Sequence, residues 1–290
     1  MNYALLSEIH EITKNDFCGL RSSRKDKTNY LGISTIHSLS KNIEEITCLC
    51  VALPWLPSRI KNIEWSDEFN EPKYYLPPNL IKLRFGREYN QPVDNLPSKL
   101  KLLIFGDLFN QLVDKLPISI EKIVFGSNFN KPIDNLPSSL EEIIFGNNFN
   151  QPVENLPSMI KRIIFGDNFN QQVNILPPCL EEVVFGKNFI QSIDNLPINL
   201  EMLEINAKSF CKNANEFNYE YLSNLSKNLS CLTINLETSY YFCSIPSKEI
   251  ILKNLENKLP LKLKILELIQ NYGHEVSSLH GDELEKYLTK

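Results

Sequence analysis

The 290-residue sequence lacks the long apolar run that a membrane span requires. No segment approaches about 18 consecutive apolar residues. Near the start of the chain, Glu8, His10 and Glu11 interrupt the apolar positions, whereas a secretory signal needs an uninterrupted apolar segment there. The sequence therefore predicts an intracellular protein, cytoplasmic and without a membrane partner.

An excess of charge of one sign is also missing. The chain has 30 basic and 35 acidic residues, a formal net charge of -5, and both signs are spread along its length. A protein that binds the phosphate backbone needs a concentrated basic surface. The sequence therefore predicts no nucleic-acid partner.

Clustered metal ligands and nucleophile motifs are absent too. The seven cysteines are irregularly spaced and contain no C-x-x-C pair. The four histidines (His10, His37, His274 and His280) lie near the two ends of the chain. Catalysis requires a convergent group of such residues. We therefore expect no cofactor, no metal, reduced thiols and no enzymatic activity.

What the sequence contains is a repeat of 20 residues. Prolines recur at that step from Pro57 to Pro197, and Phe-Gly pairs recur from Phe85 to Gly186. A second aromatic column runs from Tyr89 to Phe189, and the unit reads approximately L-P-x-x-L-x-x-I-x-F-G-x-x-F-N-Q-P-V-D-N. A fixed period of this size indicates a repeat architecture.

Each unit predicts one short strand. Apolar residues alternate over a few positions, as at Ile143 and Phe145, and β-branched residues dominate there. The prolines in the rest of the unit disfavour a helix and favour an extended or polyproline return. Because one unit cannot bury its own aromatic residues, the units must stack into a solenoid with a parallel sheet.

We expect eleven such strands. Their motifs begin at residues separated by steps of 17, 20 (seven times), 29 and 34: Ile43, Ile60, Leu80, Leu100, Ile120, Leu140, Ile160, Leu180, Leu200, Leu229 and Leu263.

The repeat resembles the leucine-rich repeat through Leu140, Ile143, Phe145 and Asn148, which follow the pattern L-x-x-L-x-[LF]-x-x-N. The predicted fold is thus a leucine-rich-repeat-like solenoid, mainly β, with one short parallel strand per repeat of about 20 residues. The convex side is expected to be extended or polyproline-like, and the caps helical or irregular.

More narrowly, Phe149, Asn150, Pro152 and Val153 resemble the FNIP repeat, which is known from amoebal proteins and from large viruses that infect amoebae. That resemblance implies the cytoplasm of the host cell as the location of a viral member. FNIP-repeat proteins often carry an F-box before the repeats, which would imply a substrate adaptor of a ubiquitin ligase. A faint likeness to an F-box is present at Leu5, Ile9, Ile12 and Phe17.

The repeats divide the chain into a cap, a solenoid and a second cap. The N-terminal cap is predicted at 1–36, with an F-box as the less favoured alternative, and the C-terminal cap at 269–290. The solenoid covers 37–268, with regular repeats at 57–205 and irregular ones at 206–268. Within the irregular part, segments 206–225 and 235–258 are expected to loop out or to form short helices.

One row of side chains is the main candidate for binding. Alternation places it on the concave face, meaning the sheet face turned away from the main core, and we call it the aliphatic stripe: Ile104, Val124, Ile144, Ile164 and Val184. Charges at Lys122, Glu142 and Arg162 flank it. An exposed apolar patch usually marks an interface. The alternative is that β-propensity selected these residues and that the ends of the chain cover them.

Other columns favour structural roles. An asparagine ladder that donates to carbonyl groups of the adjacent turn is expected at Asn90, Asn110, Asn130, Asn150 and Asn170. A second possible ladder is at Asn128, Asn148, Asn168 and Asn188, and which column points inward is open. The glycines after each phenylalanine are interpreted as turn glycines. The acidic column that includes Asp94 and Asp114 is interpreted as a solvated edge rather than a calcium site.

These observations favour a non-catalytic scaffold that binds a protein partner through the concave face. The alternatives are the ubiquitin-ligase adaptor and a homodimer formed by pairing of the stripe with its own copy.

Overall fold

Each repeat forms one short strand, because its alternating β-branched residues extend over only three to six positions. The computed structural model describes residues 44–49, 55–206, 211–212, 216–217, 225–236, 259–260, 262–270 and 275–280. Its strands are β1 (Glu45–Leu49), β2 (Asn62–Trp65), β3 (Lys82–Arg84), β4 (Leu102–Ile104), β5 (Lys122–Val124), β6 (Glu142–Ile144), β7 (Arg162–Ile164), β8 (Glu182–Val184), β9 (Met202–Asn206), β10 (Cys211–Lys212), β11 (Glu216–Phe217), β12 (Cys231–Asn235), β13 (Ile265–Gln270) and β14 (Glu275–His280).

Twelve of these strands form one sheet, in the order β1 to β9, then β12, β13 and β14. The first eleven pair in parallel, and from β2 to β9 each residue faces the residue 20 positions later, as Ile143 faces Ile163. The strand starts follow the predicted steps of 17, 20, 29 and 34. The predicted solenoid of stacked turns with eleven parallel strands is therefore confirmed for the described residues.

The far end of the sheet departs from the repeat. Strand β14 pairs antiparallel with β13 and ends the parallel series. Strands β10 and β11, within the segment between β9 and β12, form a separate antiparallel pair. The predicted caps at 1–36 and the insertion residues 237–258 lie outside the described residues, so these boundaries stay predictions.

The main core lies on one face of the sheet and is built around two aromatic columns. Within one repeat Phe145 stacks on Phe149 with ring centroids 3.8 Å apart. Between repeats Phe145 lies 5.7 Å from Phe125 and 5.6 Å from Phe165, again with nearly parallel rings. Both columns are at most 3% exposed from Phe85 to Phe189. Each repeat therefore supplies part of its neighbours' core, which no repeat could form alone.

The return segments consist of turns and extended chain. The Pro97 carbonyl accepts a hydrogen bond from the Leu100 N–H at 3.1 Å, and the same turn recurs in the other repeats. Proline suits this position because the turn needs its carbonyl and not an N–H. No helix in the described part of the chain has the length and apolarity needed to cross a membrane.

The glycine column has a more specific role than the expected turn. A Cβ added at Gly146 would lie 2.1 Å from the Gly126 carbonyl oxygen, and each glycine from Gly106 to Gly186 meets the preceding one in this way. None of the six glycines has a φ in the left-handed region. Close approach of successive turns, rather than turn conformation, thus requires glycine here.

Candidate interaction surface

The aliphatic stripe lies on the concave face, on the opposite side of the sheet from the main core. Residues two apart on a strand share a face, so Glu142 and Ile144 face away from Ile143. The stripe forms a second apolar cluster, against which the partly buried Leu102 packs. Its members are 1% to 8% exposed, with Ile164 and Ile144 the most buried at 1% and 2%. The expectation that these side chains stand in water is therefore wrong.

The charged column beside the stripe forms a ladder of ion pairs, which we call the charge ladder. Lys122 Nζ lies 2.8 Å from Glu142 Oε2, and Arg162 Nη1 lies 2.6 Å from Glu142 Oε1. Arg162 Nε lies 2.8 Å from Glu182 Oε2. These four side chains are 21% to 25% exposed. Parallel register brings them together, since each lies opposite the next in adjacent strands.

An acidic group follows the stripe at its C-terminal end, and the sequence patterns did not single it out. Thr233 faces Glu204 on one side and Glu267 on the other. Asn235 Nδ2 donates to Glu204 Oε1 at 3.0 Å. Burial raises the pKa of Glu204 to about 7, against the effect of the Asn235 hydrogen bond, while Glu267 and Glu182 add to the increase. The signal available in the sequence was that Glu204 occupies the column of the stripe, 20 residues after Val184.

The stability of the protein should therefore depend on pH through Glu204. The pKa of the Glu204 carboxyl group is 4.5 in the unfolded chain and about 7 in the folded protein. Between pH 4.5 and pH 7, the folded state therefore keeps a proton that the unfolded state has released. The stability that depends on protonated Glu204 is fully present below pH 4.5 and is lost as the pH rises to about 7. Glu204→Gln, which is uncharged at every pH, should lack this dependence. Over that window we expect the wild type to lose about 3 kcal/mol of unfolding free energy relative to the variant. Urea titrations at several pH values measure the difference, and parallel curves would contradict it.

The structure places the predicted asparagine column in a continuous ladder between repeats. The Asn150 side-chain Oδ1 accepts the backbone N–H of Asn170 at 2.9 Å and Gln171 Nε2 at 3.0 Å. Gln171 also donates to the Asn150 carbonyl at 3.1 Å. The same backbone contact, at 2.9 to 3.0 Å, joins Asn90, Asn110, Asn130, Asn150 and Asn170 in series. The expected polarity was wrong, since the asparagines accept and the glutamines, which the sequence patterns missed, donate to the carbonyls.

Neither asparagine column points into the core. Asn130 is exposed and the other four members of the first column are half-buried. In the second column, Asn148 Nδ2 donates to Asn128 Oδ1 at 3.0 Å, and Asn148 is exposed. Both ladders therefore join successive turns at the surface of the solenoid.

Asn150→Ala should lower the free energy of unfolding by about 1 kcal/mol, because it leaves the half-buried Asn170 N–H without its acceptor. The matched control is Asn148→Ala, where the lost amide contact is exposed, and its effect should stay below about 0.5 kcal/mol. Chemical denaturation of both variants provides the comparison. Equal losses of unfolding free energy in the two variants would show that the half-buried hydrogen bond from the Asn170 N–H contributes no more than the exposed side-chain contact.

A shallow cavity of about 530 Å³ lies at the edge where the first strands begin, lined partly by cations. Those cations already have partners: Lys61 pairs with Glu44 at 2.8 Å and Lys101 with Glu121 at 2.6 Å, while Lys99 donates to Asn79 at 2.8 Å. The described residues contain no group of three or more His, Cys, Asp or Glu that could hold a metal ion. The concave face is therefore the candidate site with the most distinctive arrangement of side chains.

Comparisons with known proteins agree with this architecture. The FNIP Repeat family model matches residues 72–108, 109–148 and 149–175. The crystal structure of CroV588, described as a novel circular LRR protein structure and belonging to a giant virus, is similar with a TM-score of 0.59 and 32% identity. The match covers 78% of this chain and 33% of CroV588, so the chain spans one third of the length of that relative.

YopM from Yersinia enterocolitica WA-314 is more distant, with a TM-score of 0.40 and 18% identity over 93% of this chain and 74% of YopM. None of the curated proteins matches the chain. The family match and the parallel sheet agree: the chain contains three FNIP repeats between residues 72 and 175, and its fold is a leucine-rich-repeat-like solenoid.

Proposed function

We propose that the chain is a non-catalytic scaffold that binds a protein partner through its concave face. The observation that carries this proposal is the charge ladder, whose alternating charges from Lys122 to Glu182 are partly exposed on a rigid sheet. Parallel register and ion pairing already fix these side chains, which lowers the entropy cost of ordering them on binding. The fold supports the same role, since leucine-rich-repeat-like solenoids are commonly used for protein–protein interaction.

The charge ladder, rather than the aliphatic stripe, is the contact surface in this proposal. A stripe that is 1% to 8% exposed offers little apolar area to a partner. Alternating charges instead favour a partner with the complementary order of signs, because a shift of one repeat would place like charges together.

The alternatives have less support. Pairing of the stripe with its own copy required an exposed apolar row, and the stripe is buried. The adaptor role in ubiquitination depends on an F-box within residues 1–36, which lie outside the described residues, so it stays a prediction.

The proposal is tested by affinity capture with two double variants that remove the same kind of ion pair. Glu142→Gln with Arg162→Gln removes the centre of the charge ladder. Glu141→Gln with Lys161→Gln is the control, since that pair, 2.8 Å apart, lies one position earlier and is about half exposed, at 49% and 44%. Mass spectrometry of material captured from host-cell lysate should show a protein that binds wild type and the control but not the ladder variant. If the ladder variant retains every protein that the wild type captures, the proposed surface is wrong.

A further inference from the structure

The cavity at the edge where the first strands begin has a local excess of positive charge. Four cations line it, Arg59, Lys61, Lys99 and Lys101, against one carboxylate, Glu44. The chain as a whole has the opposite sign, with a formal net charge of -5. A basic cavity on an acidic protein concentrates anions at that place, because negative surface elsewhere repels them.

The stacking of the repeats places these cations on two walls. Residues 61, 81 and 101 hold the same position in three successive turns: the Ile81 N–H donates to the Lys61 carbonyl at 2.7 Å, and the Lys101 N–H donates to the Ile81 carbonyl at 2.9 Å. The first and third turns carry two cations each, whereas the turn between them carries the shorter, uncharged Asn79 and Ile81. The cavity therefore lies between two cationic walls.

The two walls are close enough to bind one ligand together. Adjacent turns are about 4.8 Å apart, so the backbones of the first and third turns are separated by about 10 Å. Lysine side chains are long and flexible, and the Lys99 Nζ already reaches the middle turn, 2.8 Å from Asn79 Oδ1. The volume of about 530 Å³ falls in the range of small-molecule sites, roughly 300 to 1,000 Å³. These dimensions suit a small anion that contacts both walls.

The ion pairs that already involve two of these cations are weak competitors for such an anion. Glu44 and Glu121 lie in the turns outside the two walls, where they pair with Lys61 at 2.8 Å and with Lys101 at 2.6 Å. All four side chains are 45% to 54% exposed. Because exposed ion pairs contribute little to stability, an anion between the walls can replace them at low cost.

We propose that this cavity is a binding site for a small molecule that carries a diphosphate group. Two linked phosphates bear about three negative charges, which equals the excess of the four lining cations over the one carboxylate. Arg59 is half-buried, and its planar guanidinium group can bind two phosphate oxygens at once, while the lysines act as point charges. Ser58 and Ser98 add hydroxyl donors to the lining.

This site is separate from the surface of the proposed function. It lies at the edge where β2 to β4 begin, whereas the charge ladder lies on the concave face between β5 and β8. Diphosphate binding does not require a protein partner, and partner binding does not require a diphosphate. Each of the two proposals can therefore fail without the other.

Isothermal titration calorimetry of the full chain with pyrophosphate at low ionic strength tests the site. Lys101→Gln removes one cation of the cavity. The matched control is Lys161→Gln, since Lys161 holds the same position three turns later, outside the cavity, in a similarly exposed pair with Glu141 at 2.8 Å. We expect one pyrophosphate per chain, binding weakened about tenfold or more in Lys101→Gln, and a change below about twofold in the control. Absence of pyrophosphate binding to the wild type, or equal weakening in both variants, would overturn the proposal.

A second pair of variants should change the affinity in the opposite direction, which misfolding cannot imitate. Glu121→Gln removes the carboxylate that competes for Lys101 and should strengthen pyrophosphate binding about threefold or more, whereas Glu141→Gln should leave it near the wild-type value. Unchanged or weaker binding in Glu121→Gln would contradict a role of Lys101 in the site.

Citrate tests the assignment to a diphosphate. It carries a similar total charge, but on three separate carboxylates, and should therefore bind more weakly than pyrophosphate to the wild type. Equal or stronger binding of citrate would refute the diphosphate assignment.

Discussion

Phe145→Ala should lower the free energy of unfolding by about 3 to 5 kcal/mol. Phe145 is 1% exposed and contacts three aromatic rings, with Phe149 at 3.8 Å, Phe165 at 5.6 Å and Phe125 at 5.7 Å between centroids. Truncation removes a side chain that three successive repeats share. Because the backbone of adjacent turns is held by the parallel sheet, the cavity cannot close by collapse.

Urea denaturation followed by circular dichroism measures this loss. The control is Ile118→Ala, which removes an aliphatic side chain that is 71% exposed and should cost less than about 0.5 kcal/mol. In a solenoid each repeat contacts only its neighbours. The repeats before and after the cavity can therefore unfold in two separate steps. A loss below about 1 kcal/mol in Phe145→Ala would contradict the shared core.

Gly146→Ala should destabilise the protein by about 3 kcal/mol or more, although it adds a single methyl group. That methyl would lie 2.1 Å from the Gly126 carbonyl oxygen and 2.4 Å from its carbon. Both are backbone atoms, which cannot rotate away as a side chain can. Relief requires the two turns to separate, and this would strain the neighbouring bonds from Phe125 N–H to the Ile144 carbonyl and from Asn148 N–H to the Ser127 carbonyl.

The control for this variant is Asn147→Ala, one position later, where the side chain is half-buried and its truncation should change stability by less than about 0.5 kcal/mol. Thermal unfolding of both variants gives the comparison. Similar melting temperatures for the two would show that successive turns can move apart at no cost. The explanation of the glycine column by close approach would then fail.

The strand pattern was predictable because it depends on local spacing. Alternation around Ile143 and Phe145 fixes which residues enter the core, and the step of 20 residues fixes the register. The steps of 17, 29 and 34 at the two ends followed from the same motif. The antiparallel strand β14 was not predicted, since no repeat motif marks it.

The candidate site was predictable only in part. Alternation placed Ile144 and Ile164 on the concave face, but it carries no information about what lies above that face, and their burial was missed. An asparagine side chain can both donate and accept, so the sequence indicated a ladder at Asn150 without its direction. Glu204 follows the aliphatic column, and its raised pKa depends on burial and on Glu267 of β13, which is distant in sequence.

The sequence by itself determined the repeat, the strand in each repeat and the residues of the aromatic core, because these depend on periodicities of 2 and 20 residues. Tertiary structure decided how closely the turns approach, which is why Gly146 has no room for a Cβ. It also decided that the stripe is buried and that the charges from Lys122 to Glu182 pair across strands. Each of these features depends on distances between residues that are 20 or more positions apart in the sequence. Only the stacking of the repeats sets such distances.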